Sequence, residues 1–241
     1  MERCYLVLWL EAPLQSWGSS SKFSRRDTEQ FPTKSGVFGL LLSSMGARGV
    51  QEELLLHLSQ YRQVVISYGK EKKSRLSMLM DFHMVGSGYD EKDAWQKNLI
   101  PKKADGKASV GGGSKMTYRY YLQDARFAVI QELDVALAEE IEMALIQPTY
   151  DVFLGKKHCI PTDFVYRGTF SGFDEAWNEA SAIAAEKNLV PLFQVADAEA
   201  SDPDASCIMD VPIRYGEQKQ YAERYVVKKE LYGNKENTSV Y

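Results

Sequence analysis

Apolar runs broken by polar turns divide the chain into distinct pieces. Arg3 to Glu11 (RCYLVLWLE) is dense in Tyr, Leu, Val and Trp and predicts a buried first strand. A polar stretch, Pro13 to Thr33, follows it. Pro32-Thr33-Lys34-Ser35-Gly36 then opens the apolar run Val37 to Met45. That run predicts a helix, with Thr33 or Ser35 accepting from the free N–H groups at its start. Gly46 and Gly49 separate it from a second helical piece, Gln51 to Gln60. Arg62 to Gly69 predicts a strand from its β-branched run. Ala125 to Glu132 alternates like a half-buried strand. Val135 to Ile146 has apolar residues at helical spacing, and Pro148 stops it. Tyr150 to Leu154 predicts another strand, turning at Gly155.

Lys70 to Met116 departs from this pattern. It opens on the charged cluster Lys70-Glu71-Lys72-Lys73, passes through a short apolar piece, Leu76 to Val85, and ends in a long polar segment with Lys102-Lys103, Gly106 and Gly111-Gly112-Gly113. Such a segment buries little surface and predicts a projecting loop or hairpin. Strand-like sequence resumes at once in Thr117 to Leu122, so the stretch reads as an insertion whose two stems can pair. Without it the order is strand, helix, strand, strand, helix, strand. That is the α+β, ferredoxin-like order shared with RNA-recognition-motif domains. An additional C-terminal α/β segment follows: a helix over Phe173 to Lys187, then strands over Val190 to Val195, Cys207 to Ile213 and Ala222 to Leu231. The expected organisation is a palm over residues 1–82 and 116–241, including the C-terminal extension, with an inserted thumb hairpin over 83–115.

Composition excludes several classes. No apolar run approaches the ~20 residues of a membrane span, so no membrane partner is expected. Cys4, Cys159 and Cys207 are widely spaced and odd in number, which gives neither a disulfide framework nor a zinc site and fits a cytoplasmic setting. His57, His83 and His158 are not spaced as a metal pair, and no nucleotide-hydrolysis or hydrolase motif stands out. No cofactor or metal is expected. The formal net charge of −4 does not announce a nucleic-acid binder, but its distribution is uneven. Lys70 to Arg119 holds 11 Lys and Arg against 6 Asp and Glu, whereas Ser171 to Ala205 holds 8 Asp and Glu against Lys187 alone. One face can therefore be basic while another repels phosphate.

The remaining chemistry suits an RNA backbone. Lys34 and Ser35 sit at a helix start, where free N–H groups favour phosphate. Lys156 and Lys157 follow the Gly155 turn. Tyr118, Arg119, Tyr120 and Tyr121 interleave aromatic rings with a cation, and bases stack on such side chains.

Five segments, in order, resemble the CasD family of CRISPR Cascade subunits, within the repeat-associated (RAMP) superfamily. Leu8 to Gly18 (LWLEAPLQSWG) resembles the family's first strand and its L-Q-S/A-W-G turn. Phe31 to Leu41 (FPTKSGVFGLL) resembles P-T-[RK]-S-G followed by G-L-L. Asp81 to Gly86 (DFHMVG) resembles D-[YF]-H-T-V, with Met84 replacing Thr. Tyr118 to Ala125 (YRYYLQDA) resembles [RK]-x-Y-L-x-D-A. Leu154 to Pro161 (LGKKHCIP) resembles L-G-R-K-S-C-P, with His158 in place of Ser and one extra residue before Pro161.

The resemblance implies a non-catalytic subunit of the type I-E complex. It would cap the 5′ handle of the CRISPR RNA (crRNA), beside a backbone-filament subunit and the large subunit that inspects target DNA. It also implies a thumb that crosses the guide between handle and spacer, with Trp95 or Met84 as a wedge and contact with a neighbouring subunit as the alternative role for Trp95. Taken with the chemistry above, the candidate RNA-binding residues are Gln15, Trp17, Lys34, Ser35, His83, Lys115, Tyr118, Arg119, Tyr121, Lys156 and Lys157. The alternative is a metal-independent endoribonuclease, as in the related type I-C subfamily, with His158, Lys156, Lys157 and a tyrosine supplying the chemistry.

Overall fold

The computed structural model describes residues 2–19, 24–72, 75–85, 90, 92–95, 102–103, 105–107 and 115–231. Arg3–Glu11 forms β1. Leu6, Leu8 and Leu10 enter one core, and Val7 and Trp9 enter another on the opposite face. A strand covered on both sides has no solvent face, which is why its apolar run is continuous and not alternating.

β1 lies between two antiparallel neighbours, β7 (Arg126–Asp134) and β8 (Tyr166–Phe170). β7 pairs in turn with β4 (Gln63–Gly69). α1 (Lys34–Ser44) and α2 (Glu52–Ser59) precede β4, and α3 (Val135–Ile146) joins β7 to β8. The spatial order β8-β1-β7-β4 is the ferredoxin-like arrangement. The C-terminal segment widens this sheet to seven strands. After α4 (Phe173–Glu186), β9 (Val190–Ala198) pairs with β4, then β11 (Gln220–Glu230) and the edge strand β10 (Ser206–Arg214) follow. α1 and α3 pack on one face of the sheet. α4 packs on the other, through Ala176, Ala180, Ile183 and Ala184 against Val7, Trp9, Ile66 and Ala128.

A second sheet joins β2 (Leu14–Gln15), β3 (Arg25–Arg26), β5 (Ser77–Val85) and β6 (Lys115–Gln123). β5 and β6 run antiparallel from Ser77 opposite Gln123 to Val85 opposite Lys115. The two stems of the insertion therefore pair as a hairpin. The chain leaves this sheet for β7 at Asp124, whose φ of 48° is left-handed and whose N–H donates to the Pro13 carbonyl at 3.0 Å.

One expected element differs. Residues 150–154 form no strand; the fourth strand of the ferredoxin-like unit is β8, Tyr166–Phe170. The backbone of this stretch is engaged elsewhere. Thr149 N–H donates to Ser44, Leu154 N–H to Cys159, and the Leu154 carbonyl accepts from Ser16, so the segment runs from α3 toward β2. Among the described residues no helix is long and apolar enough to cross a membrane.

Candidate nucleic-acid interface

The turn Leu154 to Cys159 is fixed from both ends. Leu154 N–H donates to the Cys159 carbonyl and Cys159 N–H to the Lys156 carbonyl, both at 2.8 Å. Ser16 N–H donates to the Leu154 carbonyl at 3.2 Å, and Ser16 Oγ donates to the Tyr120 carbonyl at 3.1 Å. Ser16 thus clips the turn to β6. Gly155 is obligatory here: its φ is +94°, and a Cβ would lie 1.8 Å from the Ser16 carbonyl oxygen.

The turn lays Lys156 over β6. Its Nζ sits 4.1 Å from the centre of the Tyr121 ring and is buried without a hydrogen-bond partner among the described residues. Burial holds the amine below the usual lysine range; Arg119 and Arg26 push it the same way, and Cys159 and Asp81 oppose them. Tyr121 is itself buried, and burial pushes its phenol up. Its hydroxyl makes no hydrogen bond of standard geometry. The exposed His158 ring meets Tyr121 edge-on at 5.2 Å. Arg119 lies opposite Arg26 of β3 on one side and Asp81 of β5 on the other. Thr117, two residues along the same face, also has a buried hydroxyl without a partner.

Alternation in the strands divides the other candidates. Arg119 and Tyr121 share the face of Leu79, Asp81, His83 and Thr117, whereas Tyr118 and Tyr120 point to the opposite face with Met80 and Phe82. The Tyr118 ring packs against Phe82 at 5.4 Å. His83 Nε2 contacts the Asp81 carboxylate. Lys115 begins β6, and its side chain lies outside the described residues. Lys157 is exposed next to Lys156.

Gln15, Trp17 and Lys34 sit inside the fold. Gln15 Nε2 donates to the carbonyls of Leu10 and Ala125, and its Oε1 accepts from Trp17 Nε1 at 3.0 Å. The Trp17 ring presses on α1 so closely that a Cβ at Gly36 would lie 2.6 Å from it. Thr33 caps α1 by accepting from Gly36 N–H. The Lys34 N–H, where a phosphate is expected from sequence, donates at 2.7 Å to Asp210, a carboxylate already seated at the helix start. Lys34 Nζ donates to the Tyr61 carbonyl at 2.7 Å and to Asp197 at 3.2 Å. Arg224 grips Asp210 through two hydrogen bonds, at 2.7 and 2.8 Å, and also contacts Asp197. Burial lowers the Lys34 amine, against the pull of Asp197. This network ties α1 to β9, β10 and β11. The Ser35 carbonyl accepts from Tyr215 Oη at 2.6 Å.

Arg26 joins the site, with Arg25 next to it on the opposite face of the sheet, and neither stands out in the sequence. The dipeptide stands in a polar stretch with no periodicity, so only its parallel pairing with Tyr118 and Arg119 reveals it. Two clefts, of about 450 and 380 Å³, run between the hairpin base and the palm. They share Arg75 and Leu76 and add Lys70, Arg126, Lys72 and Lys228. Among the described residues, no three of His, Cys, Asp and Glu gather as a metal ion requires.

Comparison with known proteins agrees with this architecture. The family model for CRISPR-associated protein (Cas_Cas5) matches residues 5–227. The CRISPR system Cascade subunit CasD of Escherichia coli (strain K12) is 28% identical over 179 residues, covering 71% of this chain and 74% of that protein. A chain of a solved CRISPR RNA-guided surveillance complex superimposes with a TM-score of 0.69 at 23% identity, covering 94% of this chain and 90% of that one. A crystal structure of a Cas protein gives 0.58 at 24% identity, covering 94% of both chains. These last two show a shared fold, and the family match runs over residues 5–227, most of the chain: the chain belongs to the Cas5 family of CRISPR-associated proteins.

Proposed function

We propose that this chain is a non-catalytic subunit of a type I-E Cascade surveillance complex and binds the 5′ handle of the crRNA. In this reading it bridges the backbone filament to the large subunit, and meets target DNA only through the complex, in the cytoplasm. The observation that carries the reading is the Lys156 amine, buried over Tyr121 with no acceptor among the described residues. A buried ammonium without an acceptor is costly, and an RNA phosphate supplies one. Arg26, Arg119 and Lys157 place further cations around it. Gln15, Trp17 and Lys34 act by holding the turn and α1 in place. The residues from 83 to 115 serve as the thumb: their stems pair in β5 and β6, while most of the tip lies outside the described residues. The similarity to E. coli CasD supports the assembly.

A second reading has one observation in its favour. His158 and Lys156 both touch the Tyr121 ring, which brings together an imidazole, an amine whose pKa burial lowers and a phenol. Metal-independent cleavage at a ribose 2′-hydroxyl uses such groups. Incubating the purified chain with labelled repeat RNA and a chelator decides between them. Handle-selective binding with intact RNA supports the first reading. Cleavage that His158→Ala abolishes supports the second, and unselective binding contradicts both.

A further inference from the structure

The hairpin of β5 and β6 has two unlike faces. Met78, Met80, Phe82 and Met84 of β5 and Met116 of β6 fall on one face, each between 46 and 53% exposed. The cations of the candidate RNA site lie on the other, where Arg119 is flanked by Arg26 and Asp81. Within β3, β5 and β6, the one cation on the methionine face is Arg25. It lies over Tyr120, and Asp27 already holds its guanidinium at 2.8 and 3.0 Å. Water-exposed apolar side chains in strict alternation along a strand mark a surface that another body covers.

Charge decides what kind of body. Each RNA phosphate held by a protein calls for a cation, and this face offers one that is already paired. The aromatic rings on this face are engaged, Phe82 with Tyr118 and Tyr120 with Arg25, and methionine is a poor platform for a base; its unbranched, polarisable chain suits an apolar protein surface to which it can adapt. Area decides how that protein is held. Five half-exposed side chains present on the order of 500 Å², short of the ~800 Å² per partner that a stable interface buries. Two copies of this chain would not stay together on that alone. A partner fixed at the same time to the RNA on the opposite face would, because its second contact becomes intramolecular.

We propose that this methionine face seats an apolar, weakly charged surface of a neighbouring protein subunit, so that the hairpin stands between guide RNA and protein. The proposal rests on the RNA reading of the opposite face. The test uses Met78→Thr with Met80→Thr, which keeps good strand formers at exposed positions. Unfolding midpoints confirm that the variant folds. Two quantities are measured for it, for wild type and for Arg119→Ala: affinity of the chain alone for single-stranded repeat RNA, and yield of the chain in the complex when all its subunits and guide are expressed together. The expected result for the methionine variant is RNA affinity within about twofold of wild type and at least about a tenfold loss of incorporation. Wild-type incorporation overturns the proposal. So does a loss of RNA affinity matching that of Arg119→Ala, which would assign the face to bases. Concentration-dependent dimerisation of wild type that the variant abolishes would assign it to a second copy, and also overturns it. Failure of the RNA reading looks different: wild type itself does not bind RNA, and incorporation of the methionine variant still decides this proposal.

Discussion

Lys156 Nζ lies 4.1 Å from the centre of the Tyr121 ring, and among the described residues no oxygen accepts from it. The aromatic face offsets part of the cost of burying the ammonium, and the remainder appears as a lowered pKa. The Gly155 turn, clipped by Ser16, fixes the amine in this position.

This geometry predicts a pH dependence. In the free protein burial favours the neutral amine, so between its lowered pKa and the ordinary 10.5 the unfolded chain binds more protons than the folded one. Stability therefore rises with pH through that alkaline window. RNA binding acts in the opposite sense: a phosphate favours the charged amine, so binding takes up a proton and affinity falls as pH climbs through the window. Affinity measured from neutral pH toward 10.5 should decline for wild type. Lys156→Arg, charged throughout, should bind with a flatter profile.

Lys34→Met should damage the fold and not the RNA contact. It leaves Asp197 and Asp210 to share Arg224 in a buried setting. Removing one member of such a network costs about 3–5 kcal/mol. Urea unfolding should show a loss of that size. Where the variant remains folded, the salt dependence of its RNA affinity should match wild type. Unchanged stability with a shallower salt slope would place Lys34 on a phosphate.

Gly155→Ala should affect both. The left-handed φ alone costs about 1–3 kcal/mol for a non-glycine residue, and the Cβ would strike the Ser16 carbonyl. Relief requires the turn to move and carry Lys156 with it. Unfolding measurements should show the destabilisation, and RNA affinity should fall about as far as in Lys156→Ala.

Asp134 predicts the acid side. Burial alone would raise its pKa, but hydrogen bonds from Leu137 N–H, His57 Nε2 and Tyr61 Oη hold it below 3.8. Its contribution is present above that value and is lost as pH falls through the folded pKa. Asp134→Asn retains a cap for α3 but no charge. It should be less stable than wild type at neutral pH, and the gap should narrow in acid denaturation curves.

Local patterns carried much of this structure. The double-sided burial of β1, the cap at Thr33 and the helical spacing of Val135–Ile146 are written in neighbouring residues, and the α+β ferredoxin-like order follows from them. Residues 150–154 look like a strand because a short apolar run ends there at the Gly155 turn, yet the partners of Leu154 are Ser16 and Cys159, and sequence spacing does not reveal that. The start of α1 reads as an anion site and is one, but the anion is Asp210, 176 residues away. In the Tyr118–Tyr121 run the strand period sets which side chains share a face, and separates Tyr118 from Arg119 and Tyr121. Arg26 became visible only through its pairing with β6.

The most direct test of RNA binding at the Lys156 face is the salt dependence of affinity for the 5′ handle, compared between wild type and Arg119→Ala with Lys156→Ala. For single-stranded RNA each phosphate contact contributes about 0.7 to the slope of log affinity against log salt. Losing two contacts should weaken binding and flatten the slope by about 1.4, with the unfolding midpoint little changed. An unaltered slope and affinity in a folded double variant would contradict the account.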